Sequence, residues 1–458
     1  MRKSFILTLL FLGLSVVIFF VAYGQVNEVK DAVTIEETVL AGDTSEAEGI
    51  VIDCNTHCDY HLFWSTRYVV GETPDIHTNF AFCQAQKREY TEEYSGVAFS
   101  TFFESGQIAV MGETLDESDH GKISNPFLDV ASRTPAGEER SEIVYLKDYY
   151  DCYPIYVSLT FPGYHMDWTD ALEDSQQESG NAAALTEDFS DYFKIPVDES
   201  LRLEVTVRKN SEGGIYSTGM STINGWYELS TQNVLTKTGC FFTFDNEGLN
   251  GELVDLSHIP DGYGIYFLPY EMDRNGDVTS IGDLRMVFAI DPEAAFAGLF
   301  ASDDKSQLLL FTHENGEYIL TVFDVETMAA LQTIALQDGL GDTGIWNVFV
   351  YEDFIVPVLG NHTFTILSRL PSGEYVPEFA GDLSALSDAS GGHLTTDAVM
   401  DFDGEKLAIV YSQKNGGDYD YTICGFYLAV FDRTGLLYFG EYDSSLDAGS
   451  LDDYTYRC

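Results

Sequence analysis

Basic side chains are scarce in this chain of 458 residues: 23 Lys and Arg stand against 75 Asp and Glu, a formal net charge of −52. So acidic a surface repels phosphate backbones and anionic headgroups, which excludes nucleic acid as a partner and leaves cations and basic partners open. Cysteine is thin as well. The seven thiol-bearing positions (Cys54, Cys58, Cys83, Cys152, Cys240, Cys424 and Cys458) are too scattered for a disulfide scaffold, and an odd count leaves at least one unpaired within the chain. Motifs of common chemistries are missing: there is no G-x-S-x-G elbow, no H-E-x-x-H and no G-x-x-x-x-G-K. The nine histidines are dispersed, and only His57 and His61 have ligand-like neighbours, in CNTHCDYH. That quartet with Cys54 and Cys58 has the residue types for zinc but lacks the usual two-residue gap between cysteines, so a disulfide or plain strand-edge positions are the competing readings.

Hydrophobicity is not lacking. With 45% hydrophobic and 14% aromatic residues, including 31 Phe and 28 Tyr, the chain is no disordered acidic polymer, and its rings favour strands. The N-terminus is different. After Met1-Arg2-Lys3, residues Ser4 to Asn27 carry no charge and include SFILTLLFLGLSVVIFFVAY, long enough to span a bilayer as a helix. Ala22-Tyr23-Gly24 also offers small residues for cleavage after Gly24, so 1–27 reads as a signal anchor or a signal peptide. With Arg2 and Lys3 held on the cytoplasmic side, both readings place the rest outside: at the cell membrane as a single-pass protein, or secreted. The acidic stretch 28–49, with Glu28, Asp31, Glu36, Glu37, Asp43, Glu46 and Glu48 against Lys30 alone, reads as an extended linker.

From Ile50 onward, short apolar or alternating runs are separated by Gly, Asp, Asn and Pro. Leu201–Arg208 (LRLEVTVR) alternates strictly and predicts a half-buried strand. Val97–Phe103 and Gln107–Met111 flank ESG, a hairpin signal. One interruption lies at 164–196, where Leu185, Phe189, Tyr192 and Phe193 fall at helical spacing before Pro196, predicting a short helical insertion packed on its own domain. The organising feature is a repeat: LTVFD (320–324) and LAVFD (428–432) each follow an apolar run, QLLLF and LAIVY. Related strand ends occur at Asp245, Asp291 and Ser368. Their scatter about roughly 40–50 residues predicts an all-β chain, a β-propeller of about seven blades over 50–458.

Runs such as DGEKLAIVYS (403–412) and YLAVFDRTGLLYFGEY (427–442) resemble blades of TolB-like and other generic β-propellers, over Phe241–Asp447. The resemblance implies a fold and no function. The chain lacks the GH and WD pairs of WD-type blades and the S-x-D-x-G-x-x-W box of sialidases. One loop has chemistry of its own. Asp273, Asn275 and Asp277, with Asp283 following, place oxygen ligands at alternate positions of a tight loop, as calcium requires. It is similar to the calcium loops of dockerins and integrin-like propellers, although no Gly follows Asp277 and the late acidic residue is in the eleventh place. A bare Asn275-Gly276 hairpin turn is the alternative. Asn361-His362-Thr363 fits a glycosylation sequon. Cys458 is a candidate to tie the last strand to Cys54, Cys58 or Cys83.

The expectation is an extracytoplasmic, membrane-tethered β-propeller, a non-enzymatic binding module for an envelope protein or extracellular ligand, touching the membrane through its N-terminal segment only. The alternative is a secreted propeller-type carbohydrate-active enzyme, a glycoside hydrolase or lyase, whose carboxylates would come from distant blades.

Overall fold

The apolar N-terminus is helical in the computed structural model of the chain: α1 spans Arg2–Lys30. The structure describes residues 2–30, 32–58, 62–71, 75–82, 96–100, 102–103, 122–162, 164–166, 189, 191–224, 230–246, 253–336, 344–360, 362–390, 394–417 and 420–445. They fall in two compact units, Met1–Glu89 with Gly339–Cys458, and Tyr90–Asp338. Among the described residues no helix is long and apolar enough to cross a membrane. The side chains of α1 are described continuously over 11–25, a stretch of about 22 Å against a hydrocarbon core of about 30 Å.

The acidic segment 28–49 is more than a linker. It holds β1 (Ile35–Gly42) and a 3-10 turn, Thr44–Glu46, capped by Asp43, whose carboxylate accepts from Ser45 N. β2 (Val51–Cys58), β3 (Leu62–Val69) and β4 (Asp75–Phe82) then make an antiparallel sheet in sequence order. Cys54, on β2, is disulfide-bonded. Its sulfur is therefore no thiolate, which removes it from a zinc shell and leaves the disulfide reading of CNTHCDYH. His61 and Cys458 lie outside the described residues, and so does the proposed tie to Cys458.

The second unit begins with β5 (Gly96–Ser100), the short parallel pair β6 (Phe102–Phe103) and β7 (Lys122–Ile123), and α2 (Asn125–Arg133). It continues through β8 (Glu139–Tyr145), β9 (Tyr156–Phe161), β10 (Tyr164–Met166), β11 (Arg202–Lys209) and β12 (Ile215–Asn224). Two three-stranded sheets result, β10-β9-β5 and β12-β11-β8. β11 alternates as its sequence predicts. Leu203, Val205 and Val207 are fully buried on one face, and Phe127, Val130 and Ala131 of α2 belong to the same core. The second half of the ESG hairpin, 107–111, lies outside the described residues, as does Leu185. Phe189 and Phe193 do form a helical turn, with Phe193 N donating to Phe189 O at 2.8 Å, and both rings are buried. Phe193 packs against Phe99 and Tyr266, each at 4.9 Å between centroids, so the apolar face of the insertion covers its own unit.

β13 (Thr231–Leu235), β14 (Gly239–Phe244), β15 (Gly264–Met272), β16 (Val278–Ile281) and β17 (Arg285–Ala289) share one sheet, in which β15 pairs with both β16 and β17. β18 (Ala295–Ala301), β19 (Gln307–Glu314), β20 (Glu317–Asp324) and β21 (Ala330–Ala335) form a four-stranded meander. The first unit then resumes with a second meander of β22 (Ile345–Val350), β23 (Phe354–Leu359), β24 (Thr363–Arg369) and β25 (Tyr375–Asp382), followed by α3 (Ser384–Ala389). The third meander, β26 (Leu394–Phe402), β27 (Leu407–Gly417), β28 (Asp420–Asp432) and β29 (Gly435–Ser444), gains β1 as a fifth strand beside β29.

The repeated phrases occupy equivalent places. QLLLF and LAIVY lie in second strands, β19 and β27, and LTVFD and LAVFD end third strands, β20 and β28. Seven sheets of three or more strands occur among the described residues, all antiparallel, and β2–β4, β18–β21, β22–β25 and β26–β29 run in chain order as β-propeller blades do.

Candidate functional site

The predicted calcium ligands lie in and beyond the β15–β16 hairpin. Asp273 Oδ1 accepts from Asn275 N at 2.7 Å and Asp277 N at 3.1 Å, and Oδ2 accepts from Asn275 Nδ2 at 3.3 Å. Asp273 N donates to Asp277 O, and Gly276 takes φ +89, so the loop closes as an Asx-type hairpin turn. Asp273, Asn275 and Asp277 share this turn, whereas Asp283 lies beyond β16. Among the described residues no three His, Cys, Asp or Glu side chains gather as a metal-holding group.

The strand-ending aspartates prove to be turn formers. Asp324 Oδ1 accepts from Thr327 N and Oγ1, and Asp432 Oδ1 accepts from Thr434 N and Oγ1, all at 2.6–2.8 Å. Asp403 Oδ1 takes Glu405 N and Lys406 N at 2.8 and 2.7 Å. These donors favour the ionised carboxylate, and they hold all three groups below the usual range. The repeat that organises the sequence is therefore structural, and its acids serve turns.

Side-chain amides join neighbouring sheets of the second unit. Asn233 Oδ1 accepts from Val97 N at 2.8 Å while its Nδ2 donates to Val97 O at 3.0 Å, and Thr231 Oγ1 donates to the same carbonyl. One residue along, Gln232 Oε1 accepts from Leu299 N at 2.8 Å. The period-2 geometry of β13 thus sends alternate side chains to β5 and to β18. Asn246, 1% exposed, donates to Ala294 O and accepts from Phe296 N, both at 2.8 Å.

The sheet β12-β11-β8 has an open face. Opposite the face shared with α2, Ser141 Oγ donates to Glu204 Oε1 at 3.2 Å and shares a hydrogen bond with Thr206 Oγ1. Ile143 and Tyr145 are exposed beside them, 60% and 45%. A bulge at the Arg208/Lys209 end leaves Tyr216 unpaired and 66% exposed, with the Arg208 guanidinium 5.7 Å from its ring centroid. β12 itself, IYSTGMSTIN, has no charged residue in a chain of net charge −52. The face thus presents hydroxyls and two exposed rings, Tyr145 and Tyr216.

No family model and no curated protein matches the chain. Solved structures similar to it include the β-propeller domain of Cps50 (Swd1) from Myceliophteria thermophila, at 10% identity and TM-score 0.28, covering 53% of this chain and 70% of that one. Periplasmic gluconolactonase PpgL of Pseudomonas aeruginosa is 10% identical with TM-score 0.26, covering 57% and 82%. Hsv2 of Kluyvelomyces marxianus is 7% identical with TM-score 0.24, covering 52% and 79%. Likenesses this loose lend neither residues nor an activity. The strand order carries the fold.

Proposed function

We propose that the chain is a membrane-tethered binding module, its blades outside the cytoplasmic membrane and its partner an envelope protein or extracellular ligand. The observation that carries this reading is the bare surface of α1. Phe11, Leu12, Leu14, Val16, Val17, Ile18, Phe19, Phe20 and Val21 are each 48–66% exposed, on every side of the helix. Each keeps about half or more of its surface exposed. Apolar surface on all faces suits lipid, and the uncharged run from Ser4 to Asn27 supplies the length. Arg2 and Lys3 orient the helix with its N-terminus inside.

Alkaline carbonate extraction of cell membranes, followed by protease treatment of intact cells, tests the tether. Retention in the pellet with the blades cleaved from outside is the expected result. A chain released by carbonate and protected from external protease would sink the reading. For the partner, Tyr216→Ala and Ile143→Ser should weaken capture of the bound component from envelope extract with the fold intact. Unchanged capture by both would remove the β12-β11-β8 face from consideration.

A further inference from the structure

The segment that the sequence presents as a linker is largely used up in the fold. α1 ends at Lys30 and β1 begins at Ile35. Pairing starts even earlier, because Thr34 N donates to Ser445 Oγ and Ser445 N to Thr34 O, both at 2.9 Å. β1 then runs antiparallel to β29 from Ile35↔Ser444 to Gly42↔Tyr438, with one irregularity between Val39 and Ala41. Side chains fasten both ends of the segment. Glu37 Oε1 accepts from Tyr438 Oη at 2.8 Å and from Thr44 Oγ1 at 3.1 Å, and Lys406 Nζ lies 2.6 Å from Glu46 Oε2.

We infer that β1 is a strap that fixes the five-stranded C-terminal sheet close to the bilayer. The inference rests on α1 being the membrane segment. Chain length sets the distance. From Asn27, three helical residues add about 5 Å and residues 31–33 about 10 Å, so the start of the sheet is held within about 15–20 Å of the hydrocarbon edge. A free linker over 28–49 would reach about 75 Å when extended. The strap denies the sheet that reach.

Neutron reflectometry on the full chain, reconstituted in a supported phosphatidylcholine bilayer, tests this. Two variants accompany it: one with 20 Gly/Ser residues inserted between Asp31 and Ala32, the other with residues 35–42 replaced by Gly/Ser of equal length. The unaltered chain should give a protein layer starting within about 20 Å of the hydrocarbon edge. The insertion should move that layer outward and broaden it, as should loss of the strap. An insertion variant that gives the same profile as the unaltered chain, or an unaltered chain whose layer already stands off as broadly as the insertion variant, overturns the strap. Should the strap replacement fail to fold, the insertion comparison still decides. Absence of any protein layer after washing would instead overturn the membrane reading itself.

Discussion

Tyr438 donates its hydroxyl hydrogen to Glu37 Oε1 across 2.8 Å, although 401 positions separate the two in sequence. The same hydroxyl shares a 2.7 Å hydrogen bond with Tyr442 Oη, and both rings are fully buried. Tyr442 stacks on Phe426 at 4.7 Å and meets Tyr68 edge-on at 5.4 Å, so this polar knot is set in an aromatic packing of the first unit. Tyr438→Phe removes a donor from Glu37 and a partner from Tyr442 at once. It should cost about 1–3 kcal/mol in urea unfolding, the usual range for an orphaned buried polar group. Deleting residues 1–32, which spares Val33 and the Thr34–Ser445 pair, should lower the urea midpoint less than deleting 1–44, which should lower it at least as much as Tyr438→Phe. A midpoint indifferent to loss of β1 would mean that the strand adds no stability.

The same knot predicts an alkaline limb of stability. Burial raises the Tyr442 and Tyr438 phenols far above their ordinary values, with further upward pressure from Glu37's charge. Tyr68 is pushed up to about 12 by burial and then by Glu37. A phenol that holds its proton more tightly when folded contributes stability that is complete below the unfolded value near 10. That contribution is lost as pH rises through the folded value. The urea midpoint should therefore be flat to about pH 10 and fall steeply toward pH 12, with a shallower fall in Tyr68→Phe. An unchanged midpoint at pH 11.5 would contradict the assignment.

Strand positions in the later half were legible because apolar runs such as QLLLF, buried on both faces, and LAIVY, buried on one and half-buried on the other, are bounded by turn-forming Asp. The blade count from strand-ending residues mixed unlike places, however. Asp245 follows β14, a second strand, Asp291 follows β17, and Asp324, Ser368 and Asp432 belong to third strands. Any exposed turn accepts an Asp, so that residue marks a strand end without saying which one. β1 was hidden for a different reason. Its inward-facing Glu37 reads as a solvated charge until Tyr438 and Thr44, far away in sequence or across a turn, supply donors. α2 was missed because its apolar residues Phe127, Val130 and Ala131 make only two turns, behind a Pro that by itself signals a break as readily as a helix start. The Asp273 loop showed its turn in sequence, and the amide ladder at Asn233 and Asn246 showed nothing, since a lone Asn between strands has no pattern.

At the acid end the turn aspartates act in the opposite sense. Asp324, Asp403 and Asp432 are depressed by hydroxyl and backbone N–H donors, so their stabilisation is present above the unfolded value near 4. It is lost as pH falls through the lower folded values. Thr327→Val with Thr434→Val removes hydroxyl donors while leaving the carboxylates. Circular dichroism during acid titration should show the double variant losing structure at a higher pH than the parent. Coincident acid transitions would show that these turns do not couple to global stability.

Cys240 and Cys152 are both free, and they should differ in reactivity. Cys240 is buried within 3.4 Å of Asn233 Oδ1, and desolvation pushes its thiol up to about 12, so thiolate is scarce and access is closed. Cys152 is only half-buried, though burial raises its thiol too. Iodoacetamide on the folded chain at pH 8 should modify Cys152 slowly and Cys240 only after unfolding, read by peptide mass mapping. Equal native labelling of the two would show that the β13–β14 packing opens readily.

The amide ladder gives the sharpest contrast between loss of a bond and loss of space. Asn246→Ala deprives Ala294 O and Phe296 N of their partner in a site closed to water, and should cost about 2–4 kcal/mol if no water enters. At Asn233 a second constraint is present: Gly96 takes φ +124, and a methyl group there would come within 2.5 Å of the Asn233 side chain. Gly96→Ala should therefore destabilise by both backbone strain and collision. Asn233→Ala removes the Cγ and Oδ1 contacts at 2.5 Å but leaves Cβ at 2.7 Å, and it also removes the two bonds to Val97. In a double-mutant cycle the pair should be less destabilising than the sum of the singles, because the collision with Cγ and Oδ1 is counted in only one of them. Strict additivity would place the Gly96 requirement in its backbone angle and the Asn233 Cβ, with nothing from the Asn233 amide.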